Sequence, residues 1–274
     1  GEGGDDRLAP LTGTAVWGGD GFDTMVIDSS VALNVGSGAL SGIEAIELAA
    51  GALQLTGYQF KYGLAANTVI SGTGSIRVDL STEVIGGFLT STNFITSQMS
   101  VAAGTTFTIN GTSSSDVIKV ALTAAVTVDG GSNADQIRGS NLADTILGGD
   151  GADKLMGLSG ADNLTGGAGA DQFRYLFAGD STLAAQDRIL DFINGSDKLD
   201  FRTLDADLVA PGRQTISFIG TSAFAVNGTA QARYVDSGAD TLVQIDLNGD
   251  GAADMQIVLV GHAGQALAGT DFLF

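Results

Sequence analysis

A nine-residue unit, repeated five times without a gap between Gly130 and Arg174, constrains this chain more than any other feature. The copies read GGSNADQIR, GSNLADTIL, GGDGADKLM, GLSGADNLT and GGAGADQFR. Gly stands first in each, Asp sixth (Asp135, Asp144, Asp153, Asp162, Asp171) and a large apolar residue eighth (Ile137, Ile146, Leu155, Leu164, Phe173). A period this strict prescribes a solenoid in which every unit stacks on a neighbour. Six small, Gly-rich residues reverse the chain, and three residues centred on the apolar one form a short strand whose middle side chain points inward. Two units close one coil, so units n and n+2 share a side. That predicts Asp135 over Asp153, Asp144 over Asp162, and Asp153 over Asp171. A disordered Gly/Asp linker would not keep an apolar residue at every eighth position.

Carboxylates stacked in this way repel each other unless a cation lies between them. A hard cation with six or more oxygen ligands suits Asp oxygens and exposed turn carbonyls, and calcium fits best. Magnesium prefers a stricter octahedron with retained water, and zinc or copper would want His or Cys, of which the chain has one and none. The candidate ligands are the first, third and sixth residues of each copy. They are Gly130, Ser132 and Asp135; Gly139, Asn141 and Asp144; Gly148, Asp150 and Asp153; Gly157, Ser159 and Asp162; and Gly166, Ala168 and Asp171. The nonapeptide resembles GGxGxDxUx, the RTX or haemolysin-type calcium-binding repeat of secreted bacterial proteins, and the calcium assignment rests on that resemblance as much as on ligand chemistry. Two copies depart from it at the fourth position, where Asn133 and Leu142 replace Gly. Asn tolerates a left-handed backbone and Leu does not, so a distorted site is expected around Leu142.

A shorter version of the motif opens the chain. GEGGDDRLA (1–9) and GGDGFDTMV (18–26) align Asp6 with Asp23, which are expected to share one ion. From about Val26 to Val128 the Asp signature fades, but short alternating stretches such as IEAIEL, LQLTGYQF, SIRVDL and TFTIN continue. They are rich in Val, Ile, Thr and aromatics and none keeps helical spacing, so the segment is all-β. Its place between two solenoid pieces favours a looser solenoid over a separate sandwich. GTSSSDVIK (111–119) retains Gly111, Asp116 and Ile118 and reads as a worn repeat. Stretches such as LSGIEAIELAAG are diffusely similar to bacterial S-layer and large surface RTX proteins.

After Arg174, the stretch with Asp187, Arg188, Ile189, Asp191, Phe192, Gly195, Asp197, Lys198, Leu199 and Asp200 resembles the DRIxDFxxGxDKxD segment of the serralysin-type C-terminal domain. It is expected to cover the end of the solenoid, where an open edge invites pairing with other chains. Asp191, Asp197 and Asp200 either add a calcium site or are solvated. DLNGDGAAD (246–254) matches the front of an EF-hand loop, yet Ile257 stands where the bidentate Glu belongs, so a hairpin turn is the better reading. The terminal Asp271–Phe274, an Asp followed by three apolar residues, resembles an uncleaved type I secretion signal and implies an exporter as partner.

Together these features predict an all-β chain, a parallel β-roll or β-solenoid of calcium-binding repeats with a β-rich C-terminal cap. Four regions are expected: a short RTX-like roll at 1–27, a looser solenoid at 28–128, the calcium-binding roll at 129–174, and the cap with its secretion signal at 175–274. A formal charge of −19 argues against nucleic acid or an anionic membrane as partner. The absence of Cys leaves metal ions to supply the cross-links that disulfides often give an extracellular protein. The sequence has no apolar run long enough to span a membrane. It shows no N-terminal signal peptide and begins with Gly1, which suggests a piece of a longer protein.

Chemistry for catalysis is not evident. His262, alone in GHAG, reads as a solvated loop residue; one His cannot furnish HExxH, and no GxSxG elbow occurs. Glu44, Glu47, Lys61, Arg77, Asp79 and Glu83 show no acid/base spacing, and Trp17, Tyr58 and Tyr62 read as packing residues rather than a saccharide surface. The expected function is therefore non-enzymatic. The chain reads as the calcium-dependent C-terminal region of a secreted surface protein of S-layer or adhesin type, with self-assembly or a cell-surface glycan as its outer partner. The alternative is the secretion and folding appendage of an extracellular enzyme (protease, lipase, epimerase or glycan-active).

Overall fold

In the computed structural model the described residues are 3–9, 16–27, 32–34, 40–41, 43–48, 52–56, 64–72, 75–79, 93–95, 100–101, 106–120, 122–204 and 215–274. Among them, strands account for almost all regular structure, with single 3-10 turns at Ala178–Asp180 and Gly269–Asp271. No helix among the described residues is long and apolar enough to cross a membrane. The chain divides into two compact units, Gly1–Gly131 and Ser132–Phe274.

The first unit contains β1 (Arg7–Leu8), β2 (Val16–Trp17), β3 (Thr24–Ile27), β4 (Ala32–Asn34), β5 (Leu40–Ser41), β6 (Ile43–Leu48) and β7 (Ala52–Thr56). It continues with β8 (Leu64–Gly72), β9 (Ser75–Asp79), β10 (Asn93–Ile95), β11 (Ser100–Val101), β12 (Thr106–Thr112), β13 (Val117–Lys119) and β14 (Val126–Gly131). Two parallel ladders run through it, β1-β3-β6-β8-β11 and β4-β7-β9-β12-β14. Parallel neighbours joined by a full turn of chain make a solenoid and exclude a sandwich of antiparallel hairpins. Along the first ladder Arg7 pairs with Thr24, Thr24 with Ala45, Ala45 with Val69 and Val69 with Ser100, so each coil takes up more chain than the one before it. This drift explains why no period is visible in the middle of the sequence. Inward residues nevertheless stay in register: Leu53, Ile76, Phe107 and Val126 form one buried column, and Leu55, Val78, Ile109 and Val128 another.

The second unit contains β15 (Gln136–Arg138), β16 (Thr145–Asp150), β17 (Lys154–Met156), β18 (Asn163–Ala168), β19 (Gln172–Arg174), β20 (Asp187–Ile189) and β21 (Lys198–Asp200). It ends with β22 (Ser217–Phe218), β23 (Gln231–Ser237), β24 (Asp240–Asp246), β25 (Met255–Leu259) and β26 (Phe272–Leu273). Within the nonapeptides the coil length is constant, and Ile137 pairs with Leu155 just as Ile146 pairs with Leu164. The eighth-position residues form two fully buried columns, Ile137-Leu155-Phe173 and Ile146-Leu164. Leu199 and Phe272 extend the first, and Ile189 and Leu259 the second. This is a parallel β-roll. Its two sides differ, three-residue strands on one and six-residue strands on the other, an asymmetry that the uniform repeat did not foretell.

The segment expected to cover the roll instead adds a coil to it. β20 pairs in parallel with β18 and β21 with β19. The covering layer lies further on: β23, β24 and β25 form an antiparallel meander joined to β20. The β24–β25 connection is the hairpin favoured over an EF-hand. Its Asp246 carboxylate accepts the Gly249 and Gly251 amides at 2.7 and 2.8 Å, so those oxygens already serve the turn.

Candidate metal sites in the β-roll

The repeat places its sixth-position Asp where the turn enters the strand, and every one of the five is buried. Each stacks on the Asp one coil away through a backbone–carboxylate bond. The Asp135 amide donates to Asp153 Oδ1 at 2.7 Å, Asp144 to Asp162 Oδ1 at 2.7 Å, and Asp153 to Asp171 Oδ1 at 2.8 Å. One oxygen of each carboxylate is thus committed to holding two coils together. The other oxygen, Oδ2, is buried without a hydrogen-bond partner in Asp153, Asp162 and Asp171. An unpaired buried carboxylate oxygen carries a desolvation cost that a protein normally avoids.

The first-position glycines form the wall beside these oxygens. A Cβ on Gly148 would meet Asp153 Oδ2 and the Gly166 carbonyl oxygen, and one on Gly166 would meet Asp171 Oδ2. A Cβ on Gly157 would run into the Asp162 carboxylate. Only Gly leaves room there for a carboxylate and a turn carbonyl. The third-position residues Asn141, Asp150, Ser159 and Ala168 are exposed and Ser132 half-buried. Asp150 pairs with both Ser132 and Ala168 across adjacent coils, so the turn backbones are aligned although their side chains face outward. Gly130 is buried near the end of β14. No group of three or more His, Asp or Glu side chains converges among the described residues. Paired carboxylates with backbone carbonyls are the donor set on offer, and that set matches the all-oxygen preference of calcium.

Electrostatics tell the same story. Burial, reinforced by the charge of Asp144 along the ladder, pushes the Asp162 carboxyl up to about 7. Burial and the charges of Asp197, Asp153 and Asp191 raise Asp171 to about 6. Asp153 is raised by burial and by Asp150. These groups would rather be protonated than stacked as bare anions.

The second repeat departs from its neighbours, but for a reason other than the one expected. Leu142 is not in the left-handed region; among the described residues the non-glycine positions with positive φ are Asn133 (70°) and Leu158 (76°). Ser140, where sister copies have Gly131, Gly149 and Gly167, reshapes the turn. Its amide and hydroxyl donate to Asp144 Oδ2 and Oδ1 at 2.6 and 2.9 Å. The strain falls on Leu158 instead, whose side chain is buried. The expected effect of Leu142 is therefore corrected to an effect of Ser140.

One ladder member, Asp187, escaped the sequence reading, and Asp197, read as either an added site or a solvated residue, joins the ladder as well. The Asp162 amide donates to Asp187 Oδ1 at 3.0 Å, and the Asp171 amide to Asp197 Oδ1 at 3.1 Å. The coils leading to them span 25 and 26 residues, which hides them from a nine-residue search. Their signal is local: Asp187-Arg188-Ile189 and Asp197-Lys198-Leu199 keep the Asp-x-apolar ending of the repeat. Asp187 Oδ2 is buried and without a partner, and burial with the charge of Asp162 lifts its carboxyl to about 9. Asp191 holds the Gly166 and Gly167 amides at 2.9 and 2.8 Å. Asp200 is buried against Arg202 and Arg174, at 2.8 and 3.1 Å; burial alone would raise its pKa, but those cations hold it below the usual range.

Asp6 and Asp23 are brought together as well, with the Asp6 amide donating to Asp23 Oδ1 at 3.0 Å. His262 corrects an expectation: it is buried rather than solvated, 2.6 Å from Asn194 Oδ1 through Nε2, and burial lowers its pKa. Trp17 is exposed on β2, while Tyr58, Lys61, Tyr62 and Glu83 lie outside the described residues.

The chain is 44% identical over 164 residues to "Metalloprotease AprA" of Pseudomonas entomophila (strain L48), a match covering 57% of this chain and 33% of that protein. It thus spans about a third of the length of the curated relative it matches. Among solved structures, the AlgE6R3 subunit of the Azotobacter vinelandii mannuronan C5-epimerase is 26% identical, with a TM-score of 0.24, over 53% of this chain and 80% of that one. A family model, "Peptidase M10 serralysin C terminal", matches residues 90–274, the stretch that carries the ladders, the hairpins and the terminal strand. The chain belongs to the peptidase M10 serralysin C-terminal family, an RTX-type β-roll domain of secreted proteins.

Proposed function

We propose that the roll is a calcium-gated folding device that lets the chain leave the cell unfolded and fold outside it. The observation that carries this reading is the row of buried Oδ2 atoms without partners in Asp153, Asp162, Asp171 and Asp187. Asp135, Asp153, Asp171 and Asp197 on one side of the roll, and Asp144, Asp162 and Asp187 on the other, would hold the ions with turn carbonyls from the first and third positions. Calcium, when bound, supplies the positive charge and the oxygen coordination sphere that these groups call for. Without it, the Asp ladders repel and the Gly-rich turns have much backbone entropy to lose, so folding and binding become one event. Extracellular calcium modules bind with dissociation constants of roughly 0.1 to 1 mM, above the calcium level of a bacterial interior. The terminal Asp271–Phe274 serves the exporter while the chain is unfolded. Circular dichroism tests the idea: β content should collapse in excess chelator and return in millimolar calcium. Equal spectra in the two conditions would rule the gate out.

Two end uses fit this device. The likeness to a metalloprotease supports a folding and secretion appendage of an extracellular enzyme, whose catalytic chemistry lies in another part of the polypeptide. The parallel coils of the first unit, most of which precede the family match at residue 90, support a surface protein of S-layer or adhesin type. Light scattering and electron microscopy with and without calcium separate them. Sheets or filaments support assembly, and a persistent monomer supports the appendage.

A further inference from the structure

The Asp ladder of the first unit does not stop at Asp23. The Asp23 amide donates to Glu44 Oε2 at 2.9 Å, the same bond by which each Asp of the roll grips the next. The backbone repeats the pattern too: the Thr24 amide donates to the Asp6 carbonyl at 2.8 Å, and the Glu44 and Ala45 amides to the Asp23 carbonyl at 3.1 and 3.0 Å. Thr24 pairs with Ala45 and Met25 with Ile46, so Glu44 occupies the register position of a sixth-position Asp. Glu44-Ala45-Ile46 is a Glu-x-apolar version of Asp23-Thr24-Met25, and Met25 and Ile46 are both fully buried. Asp23 is itself fully buried, with Oδ1 engaged by Asp6 and Oδ2 left without a partner. No cation answers either carboxylate among the described residues, whereas Glu47, on the same strand as Glu44, is paired with Arg7 at 2.8 Å.

We propose that Glu44 is the second carboxylate of a calcium site shared with Asp23, in a coil that carries no nonapeptide at all. This rests on reading the Asp ladders as calcium sites and extends that reading to a Glu. The coil from Asp23 to Glu44 is longer than the one from Asp6 to Asp23, and the longer Glu side chain lets a carboxylate still reach back to the Asp23 amide. A second carboxylate from a neighbouring coil gives the site the charge that a single Asp lacks, and ligand charge sets calcium affinity. The result is an ion that clips the start of the looser solenoid to the motif-bearing coil.

Trp17, the single tryptophan, directly precedes the Gly18–Asp23 turn and makes the test selective. Terbium bound nearby is excited through Trp17, and equilibrium dialysis counts calcium over the whole chain. Glu44→Gln keeps an oxygen to accept the Asp23 amide, so its β content in calcium should match wild type. Its terbium affinity should fall roughly tenfold or more, with one calcium ion lost from the count. Glu47→Gln, the same charge change on the same strand, should leave both unchanged. If Glu44→Gln folds poorly, Glu44→Asp, which keeps the charge but withdraws the carboxylate by one methylene from the Asp23 amide, should fold and show the same loss of terbium affinity. Wild-type affinity and ion count in the folded variant overturn the proposal and leave the sites of the second unit standing. Failure of wild type to bind calcium anywhere overturns the broader reading as well.

Discussion

Asp153 sits at two junctions of the roll at once. Its Oδ1 takes the Asp135 amide, its own amide reaches Asp171, and its Oδ2 is held in a buried place without a donor. Asp153→Ala should therefore disturb two stacked sites, with calcium affinity in calorimetry down by roughly tenfold or more. The glycine beside it gives a sharper test of the geometry. A methyl at Gly148 would press on Asp153 Oδ2 and the Gly166 carbonyl, while Gly179 has nothing within 4 Å. Gly148→Ala should require several-fold more calcium to reach half-maximal β content, and Gly179→Ala should titrate like wild type. Proton linkage follows from the same carboxylates. Asp171, Asp162 and Asp187 are raised to about 6, 7 and 9 in the ion-free fold. For an acid raised in this way, the contribution to stability is complete below the unfolded value of about 4 and is lost as pH climbs through the folded value. The ion-free roll thus weakens from acid towards pH 9, so whatever β structure survives without calcium should be greatest in acid. Circular dichroism in excess chelator should show β content falling as pH is raised from about 4 towards about 9, and a spectrum independent of pH would contradict it.

At the scale of elements, the terminal strand is docked in the fold, whereas the exporter role proposed for it needs it free. β26 pairs with β21, Asp271 accepts the Gly195 and Ala268 amides at 2.8 Å each, and Phe272 is buried against Phe218 with ring centroids 4.6 Å apart. Phe274 stacks on Phe272 and Phe201, at 5.4 and 6.0 Å. The segment read as an exporter signal is thus part of the folded core. Phe272→Ala should cost about 3 to 5 kcal/mol of the stability measured by denaturant melts in calcium, the usual range for a buried Phe. This docking was not legible beforehand, because Phe272 pairs with Leu199, far back in the chain, and no local pattern links the two strands. The same reason hid the burial of His262, whose partner Asn194 is equally remote in sequence. The nonapeptides were legible because each coil repeats its own contacts, so position in the repeat fixes position in space. Where the coils lengthen, at Glu44, Asp187 and Asp197, only the carboxylate-x-apolar triplet survives, and that triplet is too short to stand out on its own.

For the molecule as a whole, the formal charge of −19 raises the question whether calcium acts as a specific ligand or as a general screen. The two mechanisms make opposite demands on salt. Repulsion between exposed carboxylates is damped by any electrolyte, with a screening length of about 3 Å at about 1 M. The ladder oxygens of Asp153, Asp162, Asp171 and Asp187 are buried, where mobile salt screens poorly, and they need a coordinated partner rather than a diffuse ion cloud. Among the described residues, Asp200 is the buried carboxylate that pairs with arginines, and Arg202 and Arg174 supply from within the chain what the ladder must obtain from outside. Sodium chloride at about 1 M in the presence of chelator should therefore compact the unfolded chain, seen as a smaller hydrodynamic radius, without restoring β content. Millimolar calcium should restore both, because it reaches the buried oxygens and closes each coil on the next. Full recovery of the β spectrum in salt alone would mean that charge repulsion is the whole barrier and that the partnerless oxygens are tolerated by the fold.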